Sequence, residues 1–225
     1  MTIEINKLTL IKHEGNFKDF SFMFEDGNIY FIKGKNGIGK SSLINSMAGL
    51  LNPLSGSILY NGINFYKDSR EERYKVRQKM GVIFDKPGLL SNLSIFENLK
   101  LRFLSIENLN LWEDSNRTRE IDNLVEQELV ELGLENKKDL RPHLLSQGEV
   151  KKVSITRALI SNPRIIIWDD AFKGLTEEDE IYFENKILNI KGKKTIIILL
   201  NSYVSCKRDL VNYFLDLSQW RNNID

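Results

Sequence analysis

The sequence predicts an α/β protein whose mainly parallel core sheet is interrupted by an inserted helical subdomain. Two observations predict the sheet. Apolar strand-like runs at Arg164–Trp168 and Lys194–Leu200 alternate with helical stretches, and a glycine-rich loop stands between a strand and a helix. A third predicts the insertion: from Asp85 to about Leu140 the periodicity turns helical and charged, with a polar connector near Glu107–Asn116.

Taken in order, residues 2–11 (TIEINKLTLI) alternate apolar and polar side chains, the period of a half-buried strand. Asp19–Glu25 forms a second such run, and Asp26-Gly27-Asn28 turns the chain into a third at Ile29–Lys33. Lys40–Leu51 reads as a helix with Leu43, Ile44, Met47 and Leu51 on one face, ended by Asn52-Pro53. Ser57–Tyr60 is a short strand closed by Asn61-Gly62, a strong hairpin-turn signal. Residues 67–79 form a charged helix and Met80–Phe84 an apolar strand. Beyond the helical insertion come a helix at Ser146–Ser161, the strand at Arg164–Trp168, a helix at Glu177–Ile190, the strand at Lys194–Leu200 and a terminal strand at Val211–Leu217. On this reading residues 1–84 and 146–225 make the αβ core and residues 85–145 the helical subdomain of a single domain.

Bulk composition narrows the partners. The apolar fraction of 41% and charged fraction of 28% over 225 residues are those of an ordinary globular domain. A net charge of +1 supplies no electrostatic reason to expect nucleic acid. The single cysteine, Cys206, leaves no internal disulfide framework and suits a reducing compartment. No run approaches the ~18 apolar residues of a membrane span, and the N-terminus lacks a signal-like pattern. These features predict a cytoplasmic protein that meets a membrane only through a partner.

The strongest chemical signal is Gly34-Lys35-Asn36-Gly37-Ile38-Gly39-Lys40-Ser41, followed by Ser42, which matches G-x-x-x-x-G-K-[ST] in full. Glycines let backbone N–H groups curl around phosphate oxygens, a path that side chains would obstruct. The Lys40 ammonium is placed to reach the β- and γ-phosphates and the Ser41 hydroxyl to take a position on Mg²⁺. The helix that starts at Lys40 adds its positive end. Such a loop needs a carboxylate at the end of a buried strand, and Asp169, after Ile165–Trp168, supplies it as the second metal-binding residue. The expected ligands are therefore ATP and Mg²⁺.

Together with the segment between these motifs, the chain resembles the nucleotide-binding subunits of ABC transporters over essentially its whole length. That family carries a five-residue signature, usually Leu-Ser-Gly-Gly-Gln, and here Leu145-Ser146-Gln147-Gly148-Glu149 stands in its place. The resemblance implies a P-loop NTPase fold of ABC type, with an antiparallel β subdomain beside the parallel core. It also implies that Ser146 and Gly148 contact the γ-phosphate of ATP held by a second nucleotide-binding subunit, identical or not. Ser146…Glu149 reads equally as a helix capping box, and the two roles are compatible. Pro87–Leu90 and Leu93–Leu99 resemble the stretch that grips an integral membrane subunit; packing of Leu89, Leu90, Phe96 and Leu99 inside the subdomain is the alternative. Within the family, FIKGKNGIGKSSLINSMAGLLNPLSGSILYNG, FDKPGLL and the aromatic after Asp169-Asp170-Ala171 look most like the compact haem-exporter subunit of cytochrome c maturation, though peptide and antibiotic exporters share much of this wording.

Four positions depart from the family pattern. The residue that polarises the attacking water, normally Glu, is Asp170; the switch His is Asn201; the Gln closing the strand before the helical subdomain is Asp85; and the Asp of the dimer-contact loop is Thr176. Asn can hydrogen-bond a phosphate but cannot become cationic. For the aromatic that the resemblance places against the base near the first strand, His13 and Phe17 are the candidates, with Phe17 favoured as ordinary core. The resemblance thus implies an ATP-hydrolysing translocase subunit with weakened catalysis, a hydrolysis-impaired regulatory half of a heteromeric transporter, or an ABC-type protein serving another process.

Overall fold

A computed structural model describes residues 1–10, 17–107, 115–190, 196–201 and 211–218, with backbone alone at 17, 105–107, 115 and 196–201. His13, Cys206 and the centre of the predicted polar connector, residues 108–114, lie outside the described residues. Two units are distinguished by their internal contacts: residues 1–82, 164–171 and 183–225, and residues 83–163 and 172–182.

In the first unit, the alternation read in the N-terminal run becomes β1 (Ile3–Leu10), with Ile3, Ile5, Leu8 and Leu10 fully buried. It pairs antiparallel with β2 (Phe17–Phe24) on one side and β4 (Ser55–Tyr60) on the other. A two-residue strand, β5 (Ile63–Asn64), closes this antiparallel sheet in the order β2-β1-β4-β5. Asn61 and Gly62 both take positive φ, 50° and 81°, as a type I′ turn between paired Tyr60 and Ile63 requires.

The second sheet of this unit has the order β6-β7-β8-β3-β9. Its central strands are β3 (Ile29–Lys33), β7 (Ile165–Trp168) and β8 (Ile196–Asn201), flanked by β6 (Met80–Ile83) and β9 (Tyr213–Asp216). The pairs β7–β8, β8–β3 and β3–β9 run parallel, so β3 and β7 send their C-terminal ends to one edge with β8 between them. All four residues of β7 are fully buried, which explains an unbroken apolar run rather than an alternating one.

Helix α1 (Lys40–Met47) follows β3 and is shorter than its sequence suggests. Gly49, at φ 76°, ends it: its N–H donates to Ser46 O at 3.0 Å, and Leu50 N–H donates to Asn45 O at 2.7 Å, the paired bonds of a glycine C-cap. A side chain at 49 would also strike the Phe65 ring, 2.4 Å from an added Cβ. The Tyr60 hydroxyl, fully buried, donates to Met47 O at 2.6 Å, and Tyr66 donates to Leu51 O at 2.8 Å. The antiparallel sheet and the loop after β5 thus satisfy carbonyls at the end of the helix that the glycine loop starts. A charged helix, α2 (Arg70–Gln78), begins on the Ser69 cap.

The second unit is helical. Helix α3 (Ile95–Glu107) packs on α4 (Ser115–Glu131) and on α5 (Gln147–Leu159). Ile121, Val125 and Leu129 of α4 and Ile95, Leu99 and Phe103 of α3 are buried, the i, i+4 pattern of an amphipathic helix. Grouping α5 with these helices differs from the sequence expectation, which left it in the αβ core. Val153, Ile155 and Leu159 of α5 are buried, and the helix packs on α3, a tertiary preference that helical periodicity does not encode. The last helix, α6 (Glu177–Ile190), contributes its first turn and a half to this unit and the rest to the first.

Leu99 is completely buried, whereas Leu90 keeps 46% of its surface exposed. Of the residues weighed for that stretch, Leu99 is therefore core and Leu90 is not. The hub is Asn98, also fully buried: its Oδ1 accepts from Leu90 N at 2.8 Å, and its Nδ2 donates to the carbonyls of Leu90, Leu93 and Ser94 at 3.0, 3.3 and 2.9 Å.

Candidate functional site

The loop from Gly34 to Gly39 leaves β3 and enters α1 through Gly39, whose φ of 109° is open to glycine and costly for other residues. Gly34 is held by contact as well: a Cβ there would come within 2.8 Å of Ile38 Cγ2, and Ile38 is buried. The first-turn N–H groups of α1, which include those of Lys40, Ser41 and Ser42, have no partners within a helix, which suits that end of the helix to an anion. Lys35, Asn36 and Gly37 form its exposed crest.

Lys40 is 7% exposed, an unusual position for an ammonium. Its Nζ donates to Gly34 O at 2.6 Å and Lys35 O at 3.2 Å, so the side chain folds back across the loop. Burial lowers its pKa from the ordinary lysine value, while the charges of Asp170 and Asp169 oppose that shift. A buried cation held by neutral carbonyls is suited to an anionic ligand.

Asp169 follows β7 and is 9% exposed; the Ser41 hydroxyl donates to its Oδ2 at 3.3 Å. The two residues are 128 positions apart, brought together because β3 and β7 end at the same sheet edge. One hydroxyl beside one carboxylate fits Mg²⁺, which keeps most of its coordination for water and phosphate oxygens. Among the described residues there is no cluster of three or more His, Cys, Asp or Glu that would make an all-protein metal cage.

Asp170 adopts φ 46° and is half-buried. Aspartate tolerates this left-handed conformation better than most residues. Asn201 is the last residue of β8, in register with Lys33, which leads directly into the glycine loop. The topology therefore brings Asn201 to the sheet edge that carries the loop and Asp169.

In the second unit, Ser146 caps α5 and Glu149 completes the capping box expected from their spacing. Glu149 N–H donates to Ser146 Oγ at 3.3 Å, while Ser146 N–H and Oγ donate to Glu149 Oε2 at 2.9 and 3.0 Å. The Lys137 ammonium donates to Glu149 Oε1 at 2.6 Å. That ion pair, aided by the Ser146 N–H, holds the Glu149 carboxyl down at about 2. Gly148 has open space where a Cβ would stand, so nothing among the described residues demands a glycine there.

Asp85 accepts from Lys173 Nζ at 3.1 Å, and the Thr176 hydroxyl accepts from Asp179 N at 3.2 Å, capping α6. No local pattern marks Lys137 or Lys173 as partners of these acids. Lys173 stands 88 positions from Asp85 and Lys137 12 positions from Glu149, and the tertiary fold joins both pairs.

Residues 17–173 match the ABC transporter family. Among curated proteins, the methionine import ATP-binding protein MetN of Photobacterium profundum is 34% identical over 203 residues, 88% of this chain and 57% of the relative. The chain thus spans little more than half the length of that relative. Among solved structures, an ATP-binding subunit of an ABC transporter shares 24% identity at a TM-score of 0.82, over 96% of this chain and 85% of that one. A dimeric post-hydrolysis structure of the ATP-binding cassette MJ0796, bound to ADP and Pi, shares 21% identity at a TM-score of 0.78, covering 90% and 88%. At those identities the two structures speak for the fold, which is that of ABC ATPase cassettes. With the family match extending across the glycine loop, the helical unit and Asp169, the chain belongs to the ABC transporter family.

Proposed function

We propose that the chain is the ATP-binding subunit of an ABC-type membrane transporter, that it binds ATP with Mg²⁺ through Gly34–Ser42 and Asp169, and that it hydrolyses the nucleotide slowly. The observation that carries this reading is the complete loop with buried Lys40 across it and Ser41 3.3 Å from Asp169. Lys40 and the loop N–H groups hold the phosphates, and Ser41 and Asp169 hold the metal. The metal, when bound, supplies charge neutralisation at the β- and γ-phosphates. Asp170 serves as the group that orients and deprotonates water, one methylene short of the family's usual Glu. Asn201 offers a neutral hydrogen bond where an imidazole is usual, and Asp85 lies where the family places a Gln.

Ser146 and Gly148 are proposed to meet ATP on a second subunit, in keeping with the dimeric state of the MJ0796 cassette. The remaining partner is an integral membrane subunit, through which the chain attaches peripherally to the inner face of the membrane. No described helix is itself long and apolar enough to cross one. Nucleic acid is not among the proposed partners. The resemblance to a haem exporter finds no support among these relatives; MetN of P. profundum is named for methionine import, which favours import over export. Cargo selectivity belongs to the membrane subunit.

A hydrolysis-impaired regulatory half is the second reading, favoured by Thr176, which is committed to capping α6. ATP turnover by the purified chain, alone and with a co-purified membrane partner, separates the two against a Lys40→Met control. Turnover above that control supports the motor. Turnover equal to it, with ATP still bound by the unaltered chain, supports the regulatory half.

A further inference from the structure

Glu149 occupies a position where the family usually has a neutral Gln, and it places a full negative charge in the first turn of α5. Within that turn the charge complements the helix and the cap. Toward an anionic ligand approaching Ser146 and Gly148 it is repulsive. Lys137, from the 3-10 turn Glu135–Lys137, meets this charge directly, with Nζ 2.6 Å from Oε1. The other carboxylate oxygen holds the Ser146 backbone N–H and hydroxyl. Both oxygens are therefore committed, one to the cation and one to the serine whose hydroxyl would face phosphate.

The pair is partly shielded: 42% of the Lys137 side chain and 20% of the Glu149 side chain remain exposed. The other acid standing where the family has Gln repeats the pattern, since Asp85 is matched by Lys173 at 3.1 Å. Both departures from Gln to an acid thus come with a lysine from the same unit.

We propose that Lys137 is a positioning residue for the anion-facing end of α5: it offsets the Glu149 charge and fixes its carboxylate, which in turn holds Ser146 in place at the end that would meet the γ-phosphate of ATP bound by a second copy of the chain. The inference rests on the proposed reading of Ser146 and Gly148 as groups that meet ATP on another subunit. Loss of Lys137 leaves an unpaired carboxylate beside phosphate, whereas simultaneous conversion of Glu149 to Gln removes the need for the lysine. An arginine at 137 keeps the charge.

The test is ATP-dependent self-association of the full chain, measured by sedimentation with MgATP, for the unaltered protein, Lys137→Met, Lys137→Arg, Glu149→Gln and Lys137→Met/Glu149→Gln. Nucleotide affinity of the dilute monomer is measured in parallel with a fluorescent ATP analogue. A closed dimer holds two such sites, so a loss of about fivefold per site becomes about 25-fold in the association constant. Lys137→Met is expected to show that loss, with Lys137→Arg and the double variant near the unaltered chain and monomer affinity constant throughout. Association of Lys137→Met equal to the unaltered protein overturns the proposal. So does a loss that Glu149→Gln fails to rescue, which would make Lys137 a merely structural residue. Absence of ATP-dependent association in the unaltered chain would instead overturn the underlying reading of Ser146 and Gly148, and this inference with it.

Discussion

Asp170→Glu is expected to make the protein a faster enzyme and a slightly less stable one. The added methylene extends the carboxylate by about 1 Å, and errors of that size in a reacting group cost about 10²-fold in rate. Restoring the reach is therefore worth about 10²-fold in kcat, or about 2.7 kcal/mol from the barrier. Against this stands the backbone at residue 170, held at φ 46°. Aspartate relieves that conformation with its short polar side chain; glutamate does so less well, at a cost of about 1 kcal/mol. For a chain of this length that cost lowers Tm by about 2–4 °C. The catalytic gain outweighs the strain, and the fold should survive the substitution. Phosphate release at saturating MgATP, corrected by a Lys40→Met blank, gives kcat, and a thermal melt of the same samples gives the stability change. The KM should hardly move, because the effect falls on the transition state rather than on binding. An unchanged kcat alongside a lowered Tm would rule out a rate limited by carboxylate reach, since the strain would then be present without any gain.

Two further outcomes follow from the helical unit. Asn98→Ala removes side-chain bonds to Leu90 N, Leu90 O, Leu93 O and Ser94 O; at about 1 kcal/mol each, less what water recovers at the partly exposed loop, urea unfolding should register a loss of about 3 kcal/mol. Protection of the Leu90 amide from hydrogen exchange should fall most. For Glu149, a folded-state pKa of about 2 lies below its ordinary 4.5, so the pair adds stability that is present above pH 4.5 and lost as the pH falls toward 2. Glu149→Gln should flatten that part of the stability–pH curve, as followed by urea midpoints across the interval, while an unchanged slope would show that the ion pair contributes nothing.

Much of the fold can be read from the sequence because its signals are local. The glycine loop, the Asn61-Gly62 turn, the four apolar residues of β7 and the Ser146–Glu149 capping box each declare themselves within eight residues. The end of α1 escapes such a reading because Leu51 continues the helical stripe, while Gly49 terminates the helix through its left-handed backbone and the ring of Phe65 beside it. Periodicity cannot report that. Residues joined across the chain are the least visible. Tyr60 beneath Met47, Lys137 on Glu149 and Lys173 on Asp85 are individually ordinary polar residues in the sequence, and only packing gives them partners. The meeting of Ser41 and Asp169 is foreseeable for a different reason: parallel strands deliver their C-terminal ends to a common edge, so a loop after one and an acid after another must converge.

Everything proposed for this chain depends on Gly34–Ser42 holding ATP with Mg²⁺ and on Lys40 supplying the buried charge for it. Equilibrium titration of the purified chain with ATP, with and without Mg²⁺, examines both when run beside Lys40→Met. Saturable binding is expected, strengthened by Mg²⁺ and weakened about 30-fold by Lys40→Met, the loss expected for a charge-assisted contact. Equal affinity in the two proteins would deny Lys40 that role, and no binding by the unaltered chain would deny the loop its ligand.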